Sequence, residues 1–293
     1  MSLPADPDAG AAVIDPTPGA SLAERAVQVL TCADGRAKCA LSEAHARVWF
    51  AARAAGTPLP LGQANPPLQP ARPATPELRA PRDMPKRRTG SQAGRIELLH
   101  SLAHIELNAV DLHWDIIARF TDVPFPPGFY DDWVKCAREE SKHFNLICDC
   151  LEAMGSHYGA LPAHAGMWQS AEETANDILG RLAVVPMVLE ARGLDVCPAM
   201  IALFEKSGET QALAALEVIY AEEVAHVAYG SKWFHFLCGR GNHDPKELFH
   251  ALVRQYFHGL LKPPFNEEKR AEAGLPPDFY WPLTERAAGT DEA

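Results

Sequence analysis

Trp133-Val-Lys-Cys-Ala-Arg-Glu-Glu-Ser-Lys-His-Phe-Asn-Leu-Ile147 is the stretch on which the fold turns. At helical spacing Trp133, Cys136, Ala137, Phe144, Ile147 and Leu151 make one apolar stripe, and Glu140 and His143 fall on that same stripe. Two ionisable groups therefore face a core. The pattern recurs downstream, where Glu223 and His226 interrupt the stripe Ala212, Leu216, Ile219, Tyr220, Val227, Gly230 and Phe234. Working outward, Glu106 sits among Leu99, Leu102, Ala103, Ala109 and Val110, and Glu190 among Leu179, Leu182, Ala183, Pro186 and Leu194. Glu106 precedes Glu140-Ser-Lys-His143 by 34 residues, and Glu190 precedes Glu223-Val-Ala-His226 by 33, so two halves share one register.

One carboxylate per helix plus Glu-x-x-His on its hairpin partner, taken twice, is the ligand pattern of ferritin-like two-metal bundles. Glu and His at i and i+3 lie about one turn apart on one face and can serve the same ion. Four buried carboxylates without cations would each cost several kcal/mol of desolvation, whereas two divalent ions balance four glutamates. A carboxylate-rich set with one imidazole per ion suits iron first and manganese second. The expected metal ligands are thus Glu106, Glu140, His143, Glu190, Glu223 and His226, holding two iron ions. Glu-x-x-His alone is weak evidence, since Glu97-x-x-His100 and Glu247-x-x-His250 carry the same spacing. What selects the other two is inward placement and the matching upstream glutamates. Structural salt bridges would instead need bases on the inner faces, and Lys142, Arg192 and Lys232 fall outside those stripes.

The expected architecture is all-α. A helical arm over residues 1–57 leads into a Pro-rich strap over 58–90, in which nine prolines fall between positions 58 and 85 and favour an extended run. The bundle follows over 91–262, with helices at about 91–119, 130–154, 170–193 and 209–238 and a fifth at 245–261; a Pro-rich tail over 263–293 is expected on the surface or partly disordered. Ser170-Ala-Glu-Glu173 reads as the capping box that starts the third helix, Pro186 as its kink, and no strand is expected.

Several other residues attract lesser readings. Glu97, His100, His104, Asn108 and Asp111 form a polar stripe best explained as a face under the strap; Tyr220 reads as a core tyrosine, and Lys86-Arg87-Arg88 as a solvated linker end. Phe144 and Phe234 are expected to keep the centre dry. Seven scattered cysteines with no Cys-x-x-Cys pair suggest neither a disulfide framework nor a zinc ribbon. A net charge of -11 weighs against polyanion or anionic-membrane binding, and neither a secretory signal nor a membrane-spanning run is present, which leads us to expect a cytoplasmic protein.

The stretches Leu98-Leu-His-Ser-Leu-Ala-His-Ile-Glu-Leu-Asn-Ala-Val-Asp-Leu112, Glu190-Ala-Arg-Gly-Leu-Asp195 and Glu222-Glu-Val-Ala-His226 resemble a bacterial ferritin-like family named only as domain of unknown function 455. The resemblance extends to Pro81-Arg-Asp-Met-Pro85 and Leu261-Lys-Pro-Pro-Phe-Asn266. That family is similar, at greater distance, to di-iron monooxygenases that hydroxylate a modified tRNA nucleoside. The resemblance implies a fold and a metal site but not that substrate. The expected activity is oxygen-dependent oxidation of a small molecule or modified nucleoside, with dioxygen and an electron donor as partners. Iron handling, peroxide reduction and a metal-stabilised binding scaffold are the alternatives. The long arm, strap and tail disfavour a storage cage, and the missing four-cysteine module disfavours an iron–sulfur relay.

Overall fold

The computed structural model describes residues 13–80, 83, 90–164 and 166–285. The fold is all-α, with one pair of two-residue strands. Its centre is four helical rods: α3 (Gln92–Arg119), α4 (Pro127–Ala153), a broken third rod, and α8 (Thr210–Gly241). Each long helix has a local reason to start and stop. Ser91 caps α3 by accepting from the Gly94 amide, Pro127 occupies the first turn of α4 where no amide is needed, and Asn242 ends α8 in the left-handed conformation. Packing runs α3 on α4, α4 on α8, and α8 on the broken rod. No helix among the described residues is long and apolar enough to cross a membrane.

The arm folds as α1 (Leu22–Thr31) and α2 (Gly35–Ala54), which lie against α3 and α4 respectively. Ser42 joins arm to bundle, accepting from Trp114 Nε1 at 2.8 Å and donating to the Ala137 carbonyl at 3.2 Å. The strap has no ladder of its own, so its carbonyls are taken up by other elements. Leu22 and Ala23 amides reach Pro60 and Leu61, Arg119 reaches Pro67, Trp168 reaches Leu68, and Lys38 reaches Ala71. The buried ammonium of Lys38 also pairs with Asp111, which explains the charged end of the polar stripe on α3. His104 of that stripe bonds Tyr158 and the His164 carbonyl. The strap ends in β1 (Leu78–Arg79), which pairs in parallel with β2 (Ala163–His164). The basic run at 86–88 lies outside the described residues.

The short β pair departs from the expectation of no strand, and two larger expectations also fail. The third rod does not begin at Ser170: α5 (Gly166–Glu173) ends there, the chain turns, and α6 (Ile178–Val184) starts from Asp177, whose carboxylate caps the Gly180 amide. The cause is Arg181. Its buried guanidinium donates to Asp115, Thr174 and the Ala171 carbonyl, a set of acceptors that only a turn at 174–177 brings together. After α6 comes a π-helical turn, Val185–Glu190, and then α7 (Ala191–Ser207), which runs well past the expected end. Pro186 lacks the amide that a regular turn requires, and the widened turn absorbs the defect.

The tail is the second correction. After α9 (Pro245–Tyr256), residues of α10 (Glu267–Glu272) and α11 (Pro277–Tyr280) pack inward, burying Leu275, Phe279, Tyr280 and Leu283. Arg270 enters the interior and forms a two-point bond to Asp195 of α7.

Candidate metal centre

All six residues expected as ligands meet in the middle of the bundle, and each is at least nine-tenths buried. Glu106, Glu140, His143 and Glu223 offer ligand atoms within 4.8 Å of one another; Glu190, Glu223 and His226 do the same, as do His113, Glu140 and Glu190. Glu140 and Glu223 thus stand between a position bounded by Glu106 and His143 and one bounded by Glu190 and His226. The third rod reaches this centre through its π turn, whose last residue is Glu190.

Gly230 is what lets that turn approach. A Cβ there would lie 2.5 Å from Pro186 Cβ and Cγ, too close for a rigid ring to yield. Alanine would gain about 1 kcal/mol of helix propensity, against about 1–3 kcal/mol for overpacking. Gly230→Ala is therefore expected to lower stability in urea denaturation and to weaken whatever Glu190 holds. A more stable variant would show that the close approach is not tight.

The hydrogen bonding has a pattern that composition and spacing did not reveal. His143 donates from Nε2 to Glu222 at 2.8 Å, and His226 donates from Nε2 to Glu139 at 3.0 Å, so each imidazole is oriented by a carboxylate from the opposite helix. Lys142 and Lys135 in turn neutralise those outer carboxylates. Both Nδ1 atoms are left pointing into the cluster, the arrangement in which an outer acceptor fixes the tautomer of a metal-binding histidine. The signal was present as a doublet, Glu139-Glu140 and Glu222-Glu223, repeated before each histidine.

Among the described residues, nothing basic except histidine meets the four inner glutamates in the ion pairs; the buried cations Arg25, Lys38, Arg181 and Arg270 each pair with an aspartate. Among the described residues, eight of the twelve buried side-chain nitrogen and oxygen atoms lacking a hydrogen-bond partner belong to His113, Glu140, His143, Glu190 and His226. Such a concentration of unsatisfied donors and acceptors in one place has the character of a cation site more than of a finished polar network. Burial and the neighbouring Glu140 charge hold the Glu106 carboxyl well above the usual range. Burial opposes charge on His143 and His226 too, but the surrounding carboxylates and, for His226, Cys136 outweigh it and raise both. Protons on these groups offset part of the negative charge gathered in the cluster. Burial pushes the Cys136 thiol up to about 12, against the opposing pull of His226 beside it.

Phe144 and Phe234 are both buried, Phe144 packing toward Gly35 and Tyr158 and Phe234 against Phe249, and Trp133 adds a ring stacked on His113 at 5.4 Å. The Tyr220 hydroxyl accepts from Asn266 of the tail at 2.7 Å, so it anchors that segment. The two surplus Glu-x-x-His pairs are accounted for elsewhere: His100 accepts from the Gly159 amide, and His250 bonds the Asp278 and Phe279 carbonyls. His113 itself was overlooked, although it lies seven residues beyond Glu106 on the same helical face.

No solved structure matches this chain. An uncharacterized protein of Haemophilus influenzae is 38% identical over 208 residues, which is 69% of this chain and 72% of that protein. The family model "Protein of unknown function (DUF455)" matches residues 31–281, a span that starts in the arm, takes in the strap, all the inner glutamates and histidines, and reaches the packed tail. With most of its length covered, the chain belongs to the DUF455 family.

Proposed function

We propose that this chain is a di-iron carboxylate protein of the ferritin-like kind, which uses dioxygen to oxidise a substrate. The observation that carries the reading is the convergence of four buried glutamates and two outward-anchored histidines on one cluster, in which the carboxylates of Glu140 and Glu190 and the inner nitrogens of His143 and His226 lack hydrogen-bond partners. Glu106 and His143 would hold one ion, Glu190 and His226 the other, and Glu140 and Glu223 would contribute to both. Two ferrous ions held there would supply electrons for the reduction of dioxygen. Glu139 and Glu222 keep the two imidazoles in the orientation that presents Nδ1 inward, and Lys135 and Lys142 keep those outer carboxylates charged. The four inner carboxylates match the charge of two divalent ions, and an all oxygen and nitrogen donor set favours iron or manganese over zinc or copper(I).

Oxygen consumption tests the reading. Protein loaded anaerobically with iron(II) and then mixed with air-saturated buffer is expected to take up oxygen at a rate abolished in Glu140→Ala/Glu223→Ala. Uptake that continues in proportion to added free iron, with no organic product, would move the function to iron oxidation. Loaded protein that takes up no oxygen with any reductant would leave a metal-stabilised scaffold.

A further inference from the structure

His143 and His226 each use one ring nitrogen outward and one inward; His113 differs. Its ring is 1% exposed, and neither Nδ1 nor Nε2 has a hydrogen-bond partner among the described residues. Nε2 lies 3.1 Å from Glu190 Oε1, yet the pair does not meet as donor and acceptor. Two polar atoms that close and not aligned on each other are what results when both aim at a third point. His113 also belongs to a group with Glu140 and Glu190 in which one ligand atom from each residue lies within 4.8 Å of the others. The ring is held flat by stacking on Trp133 at 5.4 Å and 19°, and meets His226 edge-on at 5.8 Å.

We infer that His113 is a third nitrogen donor serving only one of the two metal positions, which makes the two ions chemically inequivalent. This rests on the two-metal reading. The position of Glu106 and His143 would have one nitrogen, and the position of Glu190 and His226 would have two. Nitrogen donors strengthen the hold on later divalent metals, so the Glu190 position fills first with iron(II) or cobalt(II). His113 is also the exchangeable donor of the three. No carboxylate steadies its outer nitrogen, whereas Glu222 and Glu139 steady the other two, and that outer support is what fixes ring orientation and raises basicity. It is therefore the ligand an incoming molecule displaces.

The test is an anaerobic cobalt(II) titration of the metal-free full chain, read by calorimetry and by visible absorption of the bound ion. Wild type is expected to bind two ions in two separable steps. His113→Ala is expected to weaken the first step by about 10-fold or more, in the range set by losing support at a metal histidine, and to leave the second unchanged. Added imidazole should restore both the affinity and the absorption band in the variant, an effect that a packing role would not produce. Where the alanine variant fails to fold, His113→Gln serves, with the same expected selective loss. Two ions bound by the variant with wild-type affinity and spectrum would overturn the proposal, as would an equal loss at both steps. Wild type that takes up no cobalt would bring down the two-metal reading and this inference with it.

Discussion

Protein carrying Glu140→Ala and Glu223→Ala together is expected to retain essentially no iron after anaerobic reconstitution, where wild type holds about two ions per chain, the number this ligand pattern accommodates. The expectation follows from how the groups overlap. Glu140 belongs with Glu106, His143 and Glu223 on one side and with His113 and Glu190 on the other; Glu223 is likewise shared with Glu190 and His226. Removing both takes a donor from each position twice over. Glu106→Ala and Glu190→Ala, by contrast, each touch one position and should leave about one ion, on the same stoichiometry. Glu247→Ala is the control, because its Glu-x-x-His partner His250 bonds tail carbonyls far along the chain and not the cluster. Elemental analysis of protein purified without a metal-affinity tag, with helicity checked by circular dichroism, gives the answer. Two ions persisting in the double variant would refute the centre.

The parts of this centre that were legible in the sequence are those that depend on helical period alone. Glu140 with His143, and Glu223 with His226, interrupt apolar stripes, and an i, i+3 interval fixes their shared face whatever surrounds them. The stripes around them are buried as expected, with Tyr220 and Leu179 only half so. What stayed hidden depends on distant partners. The break before α6 is dictated by Arg181 gathering Asp115, Thr174 and Ala171, and no local rule ranks Asp177 above Ser170 as a helix start. Prolines in the tail suggested a surface run, yet Tyr280 and Leu275 are fully buried because Arg270 ties the segment to Asp195. Glu139 and Glu222 lie outside the apolar stripes, and it is the packing of α4 on α8 that brings each to the other helix's histidine.

Metal-free protein is expected to lose thermal stability as pH rises above about 6.5, while the iron- or manganese-loaded protein does not, so the gap between their melting temperatures widens with pH. The sign comes from the two imidazoles. His143 and His226 are both raised well above their ordinary 6.5, because the carboxylates that surround His143, and the Cys136 thiol and Glu223 and Glu139 beside His226, outweigh the penalty of burial. Between the ordinary value and the raised one, the folded chain therefore binds more protons than the unfolded chain. Stability falls with pH wherever that holds, and the stabilisation is complete only below the unfolded value. Glu106 and Glu223, raised chiefly by burial and by the Glu140 charge, act in the same direction from about 4.5 upward. Glu140 acts oppositely, since the two histidines hold it well below 4.5 against burial, but its contribution is lost only as pH falls through the acid range. Each unit by which one imidazole is raised is worth about 1.4 kcal/mol, or about 2–4 °C in melting temperature for a domain of roughly this size. Metal reverses the trend because it takes the place of those protons: the ligands must be deprotonated to bind it, so affinity climbs over the same interval in which the protonated cluster fails. Differential scanning calorimetry of both forms from about pH 6.5 to about pH 9 measures the effect. A metal-free melting temperature that stayed level or rose across that interval would mean that the cluster does not hold protons in place of cations, and the charge argument for a metal centre would go with it.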